Sequence, residues 1–358
     1  MNANYYGLIL AGGRGTRFWP RSRRSRAKQV LSFLGEQTLI QQTVERLRPV
    51  LPPDRIWVLT NDHLRDEIVR QLPGVPKEQI LAEPAQRNTA PCIGLAAHVL
   101  HSVNPDSVMG VFPADHVITK APRYIKILRV AFKTAAKGNI AVLGIQPRWP
   151  ETGYGYIEFA PGVKAGSTKP EPVRSFREKP DLRTAKKFLA AGRFYWNAGM
   201  FFWRTDVVMD ALRQHQPKTW TLLAGLPPFG HKQFSACVSE AFPRCENVSI
   251  DYGVIEKATN VVGFAMDDIG WNDVGSWNAV YELLPRDGDG NAVVSDVLIQ
   301  DSAGNYVDAR GKLVALLGVR DLVVVDTADA LLIADRSRAQ QVGELVKALE
   351  KRGREDLL

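Results

Sequence analysis

The chain has 358 residues, of which 45% are hydrophobic and 23% charged, a balance that excludes a disordered or fibrous protein. Its formal net charge of +8 indicates either a nucleic-acid surface or a pocket for a small polyanion. Seven basic residues lie between Arg14 and Lys28 with no acidic residue among them. Because no Lys/Arg repeat or aromatic-interleaved motif occurs, this clustering favours the polyanion pocket over nucleic acid.

The cysteine content and the lengths of the apolar segments indicate the cellular compartment in which the protein works. Cys92, Cys237 and Cys245 form no C-x-x-C pair, which predicts reduced thiols. The N-terminal apolar stretch is too short for a membrane span and lacks the basic segment of a signal peptide. We therefore expect a cytoplasmic protein that has neither a membrane nor a nucleic acid as partner.

Strands and helices alternate through the first half of the chain. The predicted strands lie at residues 5–10, 55–60, 107–112 and 139–145. The predicted helices lie at residues 38–48, 62–72, 89–103 and 124–137. This alternation is typical of a mixed, mostly parallel α/β sheet of Rossmann-like type with helices on both faces.

The remainder of the chain is less regular. Alternating patterns predict strands at residues 154–160, 172–178 and 197–204, and helices at 181–191 and 205–215. After Pro285 a turn-rich linker is followed by short β-like runs over 291–335 and an amphipathic helix at 337–352. We predict a catalytic domain at 1–285 and a small β-rich, solenoid-like domain at 286–358.

The segment LILAGGRGTRFWP at residues 8–20 carries a buried strand into glycines and arginines. Glycine lets backbone N–H groups approach phosphate oxygens, and Arg14 can chelate a phosphate. The pattern matches neither the P-loop nor the dinucleotide fingerprint. Taken alone, the segment fits a tight structural turn with a solvated basic face as well as it fits a phosphate-binding loop. The structural interpretation, however, leaves seven cations without counterions. We call residues 11–28 the opening loop.

This loop, with Lys28-Gln29, resembles the signature of the sugar-phosphate nucleotidyltransferases. Six later segments resemble the mannose-1-phosphate guanylyltransferases in the same order: NTAP (88–91), PADH (113–116), FREKP (176–180), WNAGMF (196–201), SIDY (249–252) and WNDVGSW (271–277). The sequence departs from the family pattern at Arg21, where leucine is more frequent, at Ala27, where proline is usual, and at Arg177, which replaces an apolar residue.

The resemblance covers nearly the whole chain and implies a short, monofunctional enzyme without phosphomannose isomerase activity. Such an enzyme transfers a guanylyl group from GTP to α-D-mannose 1-phosphate, giving GDP-mannose and pyrophosphate with the help of Mg²⁺. It also implies a homodimer. Two other interpretations stay open: a different nucleotide or hexose 1-phosphate, and a non-catalytic regulatory protein that senses a sugar nucleotide.

The resemblance also assigns residues to roles. The catalytic residues would be Arg14, Lys28, Asp115 and Asp273, of which Asp115 and Asp273 would hold the metal. The nucleotide would contact Leu10, Ala11, Gly12, Gly13, Gly15, Thr16, Glu83, Asn88 and Thr89. The sugar phosphate would contact Gly153, Tyr154, Glu178, Lys179, Asn197, Gly199 and Asp251.

Simpler structural explanations exist for several of these residues. Asp115 could cap a helix, and Asp273 could form an Asx turn before a glycine. Asn88 or Thr89 could cap the helix that follows. The segment 153–155 could be a plain β-turn, and 178–179 an exposed strand end. For His116 we expect a structural or supporting role.

Overall fold

The computed structural model describes residues 2–358. Up to residue 285 the strands are β1 (Tyr5–Leu10), β2 (Ile56–Asn61), β3 (Ile80–Glu83), β4 (Val108–Pro113), β5 (Val117–Ile118), β6 (Ile140–Ile145), β7 (Tyr156–Glu158), β8 (Glu171–Pro172), β9 (Ser175–Arg177), β10 (Phe194–Arg204), β11 (Val261–Met266) and β12 (Trp271–Asn272). The α-helices are α1 (Leu39–Leu47), α2 (Asp62–Gln71), α3 (Thr89–Val103), α4 (Ala121–Ala135), α5 (Leu182–Ala191), α6 (Thr205–His215), α7 (Pro217–Ala224), α8 (Phe234–Ala241) and α9 (Trp277–Leu283).

Ten of these strands form one sheet with the order β3-β2-β1-β4-β10-β6-β11-β8, and β7 and β9 extend it beside β10. β3, β2, β1 and β4 run parallel to one another, and β6 is parallel to β11. β10 is antiparallel to both β4 and β6, so β6 runs in the same direction as β4. The carboxyl ends of β1, β3 and β4 therefore meet at one edge of the sheet.

The sheet has a hydrophobic cluster on each face. Successive residues of a strand point to opposite faces, and β1 shows this directly, since Ile9 lies in one cluster and Leu8 in the other. α1, α2 and α4 contribute buried residues to the first cluster, and α3 and α6 to the second. The predicted α/β fold, mostly parallel with helices on both faces, is confirmed.

The C-terminal region (residues 286–358) contains six short strands. They are β13 (Ala292–Val293), β14 (Val297–Gln300), β15 (Tyr306–Asp308), β16 (Val314–Leu317), β17 (Leu322–Asp326) and β18 (Leu331–Asp335), followed by helix α10 (Val342–Lys351). They pair in parallel, β13, β15 and β17 in one sheet and β14 with β16 in another, except for β18, which is antiparallel to β17. Buried Asn291 and Asn305 link successive coils, because Asn291 Oδ1 accepts from the Asn305 backbone N–H at 3.0 Å. This is the expected β-solenoid-like arrangement.

The C-terminal region packs directly against the opening loop. Phe18 and Trp19 of the loop share a buried cluster with Trp277, Tyr306 and Val346. The Trp19 indole N–H donates to the Leu357 carbonyl at 3.0 Å, and the Trp277 indole N–H donates to the Trp19 carbonyl at 3.1 Å. Since this core spans both regions, the domain boundary at residue 285 stays a prediction.

Five of the loop's seven basic residues do have counterions, so the expectation that all seven lack them is wrong. Arg21 pairs with Asp308 at 2.6 Å. Three further arginines pair with acidic residues of the C-terminal region, as Arg14–Glu350, Arg23–Asp329 and Arg24–Glu355. These acids lie about 300 residues away along the chain, where no local pattern could reveal them. The unusual Arg21 therefore joins the two regions.

Some elements differ from expectation. The strand predicted at 172–178 is split, because β8 pairs with β11 whereas β9 pairs with β7. The last helix begins at Val342, since residues 336–341 form a 3₁₀ helix. The sequence patterns did not identify β11, α7 or α8. Within residues 2–358, none of the helices has the length and apolar character needed to cross a membrane.

We expect Arg21→Leu to lower the free energy of unfolding by about 3 kcal/mol, because it leaves Asp308 buried without its main cationic partner. The Asp308 side chain is only 3% exposed. Chemical denaturation would measure the change. Arg310→Leu is the matched control, since Arg310 also pairs with Asp308 but is half exposed, and should cost less than about 1 kcal/mol. Equal effects of the two substitutions would contradict the prediction.

Candidate active site

A cavity of about 670 Å³ opens at the carboxyl edge of the parallel strands. This is the position at which open α/β sheets bind their ligands. Fifteen of the residues predicted from the sequence line it: Leu10, Gly12, Gly13, Arg14, Glu83, Asn88, Thr89, Asp115, Gly153, Tyr154, Glu178, Asn197, Gly199, Asp251 and Asp273. The remaining five, which are Ala11, Gly15, Thr16, Lys28 and Lys179, do not face it.

The opening loop leaves β1 and is held from beneath by Gln29. The Gln29 side-chain amide is buried and donates to the carbonyls of Ala11 at 2.6 Å and Gly13 at 3.1 Å. Gly15 adopts φ +62°, and a Cβ there would lie 2.5 Å from the Lys28 Cβ. Only glycine allows the loop to pass so close to Lys28. Ala11 and Gly15 thus shape the loop from behind the cavity wall.

Lys28 contacts both aspartates that the sequence singled out, through the carboxylate of Asp115 and the backbone carbonyl of Asp273. Its Nζ donates to Asp115 Oδ2 at 2.8 Å and to the Asp273 carbonyl at 2.6 Å. Burial by itself would raise the pKa of Asp115, but the positive charge of Lys28, the neighbouring His116 and the hydrogen bonds to the carboxylate together hold this pKa below its usual value. Asp115 is therefore ionised at neutral pH and carries its charge into the cavity.

The simpler explanations for these aspartates do not hold. The helix after Asp115 begins only at Ala121, so Asp115 caps no helix. The Asx turn near Gly275 is formed by Asn272, whose Oδ1 accepts from the Val274 N–H at 2.7 Å. The Asp273 carboxylate instead accepts from the Tyr154 hydroxyl at 2.6 Å. Within residues 2–358, the structure brings together no group of three or more His, Cys, Asp or Glu side chains that could hold a metal ion by itself.

Glu83 lies at the end of β3, on the side of the cavity nearest to Gly12. Its Oε1 accepts from the Cys92 thiol at 2.7 Å. Burial raises the pKa of Glu83 to about 7, although the thiol hydrogen bond acts in the opposite direction. Glu83 thus titrates in the physiological range.

The helix end beside Glu83 is capped as its sequence suggested. Asn88 caps α3, since its Oδ1 accepts from the Thr89 N–H at 2.9 Å. The Thr89 hydroxyl in turn accepts from the Ile250 N–H at 2.8 Å. Capping and cavity lining therefore coincide at Asn88 and Thr89.

The opposite end of the cavity is built around Asn197 on β10. Its Nδ2 donates to Asp251 Oδ1 at 2.9 Å, and its Oδ1 accepts from the Gly199 N–H at 3.1 Å. Burial, and then the nearby charge of Glu178, raises the pKa of Asp251 to about 7. Lys179 Nζ donates to Glu178 Oε1 at 2.6 Å. The Glu178 side chain is nearly buried and lines the cavity, whereas that of Lys179 is exposed. The explanation of residues 178–179 as an exposed strand end therefore holds only for Lys179.

The sequence patterns did not assign several cavity residues. They include Gln29, Gln86, Cys92, Ala198, Phe201, Asn247 and Trp271. One signal was available for Cys92, which lies one helical turn after Thr89 and so on the same face of α3. Trp271 contacts Tyr154 edge to face and donates its indole N–H to His116 Nδ1 at 3.2 Å. His116 is buried, and this burial lowers its pKa, so the ring is neutral.

Comparison with known proteins agrees with this geometry. Residues 6–289 match the family model described as nucleotidyl transferase, and residues 295–349 match the model described as MannoseP isomerase/GMP-like beta-helix domain. An Escherichia coli protein named mannose-1-phosphate guanylyltransferase is 37% identical over 97% of this chain and 74% of its own length. The alginate biosynthesis protein AlgA of Pseudomonas aeruginosa PAO1 is 38% identical over 98% of this chain and 73% of its own length.

A solved structure is similar over almost the full length. A mannose-1-phosphate geranyltransferase from Thermus thermophilus has a TM-score of 0.85 and 32% identity, over 97% of this chain and 99% of that one. The family model covers most of the chain and includes every residue of the cavity. The chain therefore belongs to the nucleotidyl transferase family.

Proposed function

We propose that this chain transfers a guanylyl group from GTP to α-D-mannose 1-phosphate and releases pyrophosphate. One observation carries the proposal: a single cavity has the opening loop and Glu83 at one end, and Glu178, Asn197 and Asp251 at the other. The charged pair of Lys28 and Asp115 stands between them. This arrangement suits two anionic substrates that are held close together in one cavity, with the Arg14 guanidinium at the triphosphate end. The names of the relatives support the choice of substrates.

The reaction needs positioning more than proton transfer. A phosphate oxygen of mannose 1-phosphate attacks the α-phosphorus of GTP, a new P–O bond forms, and the bond from this phosphorus to the bridging oxygen breaks as pyrophosphate leaves. The attacking oxygen is already anionic at neutral pH, so it requires no general base. Holding the two groups in line can lower the barrier by roughly 7–11 kcal/mol.

Different residues of the cavity would position the two substrates. Backbone N–H groups at Gly12 and Gly13 and the Arg14 guanidinium face the triphosphate end. At the sugar end, Glu178, Asn197 and Asp251 offer acceptors and one amide donor to hydroxyl groups. Lys179 stands at the rim beside Glu178, from where it can reach the phosphate of the sugar phosphate. Fixed cations at both ends offset the repulsion between the two anions.

Asp115 and Asp273 fit a divalent cation. Both residues line the cavity, and the Asp115 carboxylate already pairs with a positive charge, that of Lys28 Nζ at 2.8 Å. Mg²⁺ prefers oxygen ligands and commonly combines one or two carboxylates with substrate phosphates. When bound there, it would neutralise charge on the phosphates. We propose that Asp115 and Asp273 hold Mg²⁺.

A homodimer, which the resemblance implies, also stays a proposal. Large apolar side chains are exposed on the C-terminal region, among them Leu298, Leu317 and Ile333. Leu298 and Leu317 lie on the sheet of β14 and β16, and Ile333 lies on β18 of the other sheet, and these side chains could pack against a second copy. An exposed apolar patch of this kind is typical of an interaction surface.

The proposed activity has a direct test. The protein is incubated with Mg²⁺, mannose 1-phosphate and each of the four nucleoside triphosphates, and pyrophosphate is measured. We expect release that requires the sugar phosphate and is fastest with GTP. Faster release with another nucleotide or with glucose 1-phosphate would establish the alternative specificity. Tight GDP-mannose binding without any release would instead support a regulatory sensor.

We expect Asp115→Asn and Asp273→Asn each to lower turnover by on the order of 10²–10³-fold, the loss typical of removing one charge-stabilising group. Both should also weaken the dependence on Mg²⁺, because the carboxylate oxygens that hold it are lost. Pyrophosphate release across a Mg²⁺ titration measures both effects. Asp106→Asn, at an exposed position outside the cavity, is the control and should behave as the wild type. Near-normal activity in both cavity variants would refute the metal assignment.

We expect kcat/KM for GTP to rise as the pH increases through about 7. The guanine edge presents N–H donors, and the Glu83 carboxylate accepts hydrogen bonds at both oxygens only after it loses its proton. Because kcat/KM reports groups of the free enzyme, Glu83 should appear in this profile. Glu83→Gln, which never ionises, should remove the Glu83 contribution and reduce the preference for GTP over ATP. A profile and preference unchanged by Glu83→Gln would rule out base recognition by this carboxylate.

A further inference from the structure

The arginines of the opening loop that form ion pairs differ in whether they also line the cavity. Arg14, Arg21, Arg23 and Arg24 all pair with acidic residues of the C-terminal region. Among them, only Arg14 also lines the cavity beside Gly12 and Gly13. The ion pair between Arg14 and Glu350 therefore connects the C-terminal region with the triphosphate end of the cavity.

The position of Glu350 is set by the face that α10 turns toward the loop. Gly343, Val346 and Glu350 follow each other at the helical spacing i, i+3 and i+7, which places them on one side of the helix. A Cβ at Gly343 would lie 3.3 Å from the Thr16 hydroxyl, and Val346 is buried in the cluster that contains Phe18. The packing of Gly343 and Val346 against the loop therefore places Glu350 next to it.

The bond between the two residues leaves most of the guanidinium free. Arg14 Nη2 donates to Glu350 Oε1 at 2.9 Å, and Arg14 makes no other hydrogen bond within residues 2–358. A guanidinium has five N–H donors in a rigid plane. One edge is therefore held by α10, while the remaining donors stay available to phosphate oxygens in the cavity.

We propose that Glu350 is a positioning residue for the nucleoside triphosphate: from the C-terminal region it orients Arg14 toward the phosphates. This rests on the proposed function, because it assumes a triphosphate beside the opening loop. The pair is partly exposed, with side-chain exposures of 42% for Arg14 and 33% for Glu350, so its contribution to folding is small. Its effect should appear in nucleotide binding, where an arginine of fixed orientation loses less side-chain freedom.

Glu350→Gln tests the proposal. We expect the KM for GTP to rise about tenfold, as when one hydrogen bond to a charged group is weakened, while the KM for mannose 1-phosphate and the thermal unfolding midpoint stay unchanged. The matched control is Asp329→Asn, which breaks a pair of the same length, Arg23–Asp329 at 2.9 Å, between the same two regions. Arg23 does not line the cavity, so this control should leave the KM for GTP unchanged.

A second comparison separates positioning from a general change in charge. In an Arg14→Ala background, Glu350→Gln should cause no further rise in the KM for GTP, because the residue through which it acts is absent. Glu350→Asp, which keeps the charge but shortens the side chain, should give an intermediate KM.

Several results would overturn the proposal. An unchanged KM in Glu350→Gln would remove the positioning role, and a lowered KM would show that Glu350 competes with the phosphates for Arg14. An equal rise in Asp329→Asn would assign the effect to the interface as a whole. In each of these cases the wild type still releases pyrophosphate, so the proposed function stands. If the wild type releases none with any nucleotide, the proposed function fails and this inference fails with it.

Discussion

The cavity depends on one buried cation. Lys28 is only 7% exposed, and a charge in such a position is stable only when it is paired and hydrogen-bonded. Its two partners, Asp115 and the Asp273 carbonyl, belong to segments far apart in the chain. Lys28 thereby ties the opening loop to the end of β4 and to the segment after β12. The same contact keeps Asp115 ionised at neutral pH.

Electrostatic compensation follows the same principle throughout the opening loop. A run of seven basic residues would repel itself, and four of its arginines are neutralised by acids of the C-terminal region. Of these four arginines, only Arg14 also lines the cavity, and the one hydrogen bond that it makes within the described residues, to Glu350, leaves its other N–H donors free. The C-terminal region thus contributes to the site without lining the cavity itself.

Two carboxyl groups mark the two ends of the cavity. Glu83 and Asp251 are both partly buried, and the loss of hydration raises the pKa of each to about 7. A carboxyl group with a pKa near 7 can lose or keep its proton at neutral pH. It can therefore accept or donate a hydrogen bond, depending on the ligand group that binds beside it. Such shifts are frequent at functional sites, since desolvation is tolerated there when a ligand later supplies the missing partners.

The sequence by itself determined the alternation of strands and helices, since apolar periodicity and caps such as Asn61, Asn88 and Asp181 are local features. It also determined which polar residues follow the strand ends, and so most of the cavity lining. Only the tertiary structure decided that Lys28 and Gly15 lie behind the cavity wall, and that Arg21 is a buried partner of Asp308. The physical reason is that ion pairs and close packing between distant segments depend on three-dimensional proximity, which no local pattern of residues records.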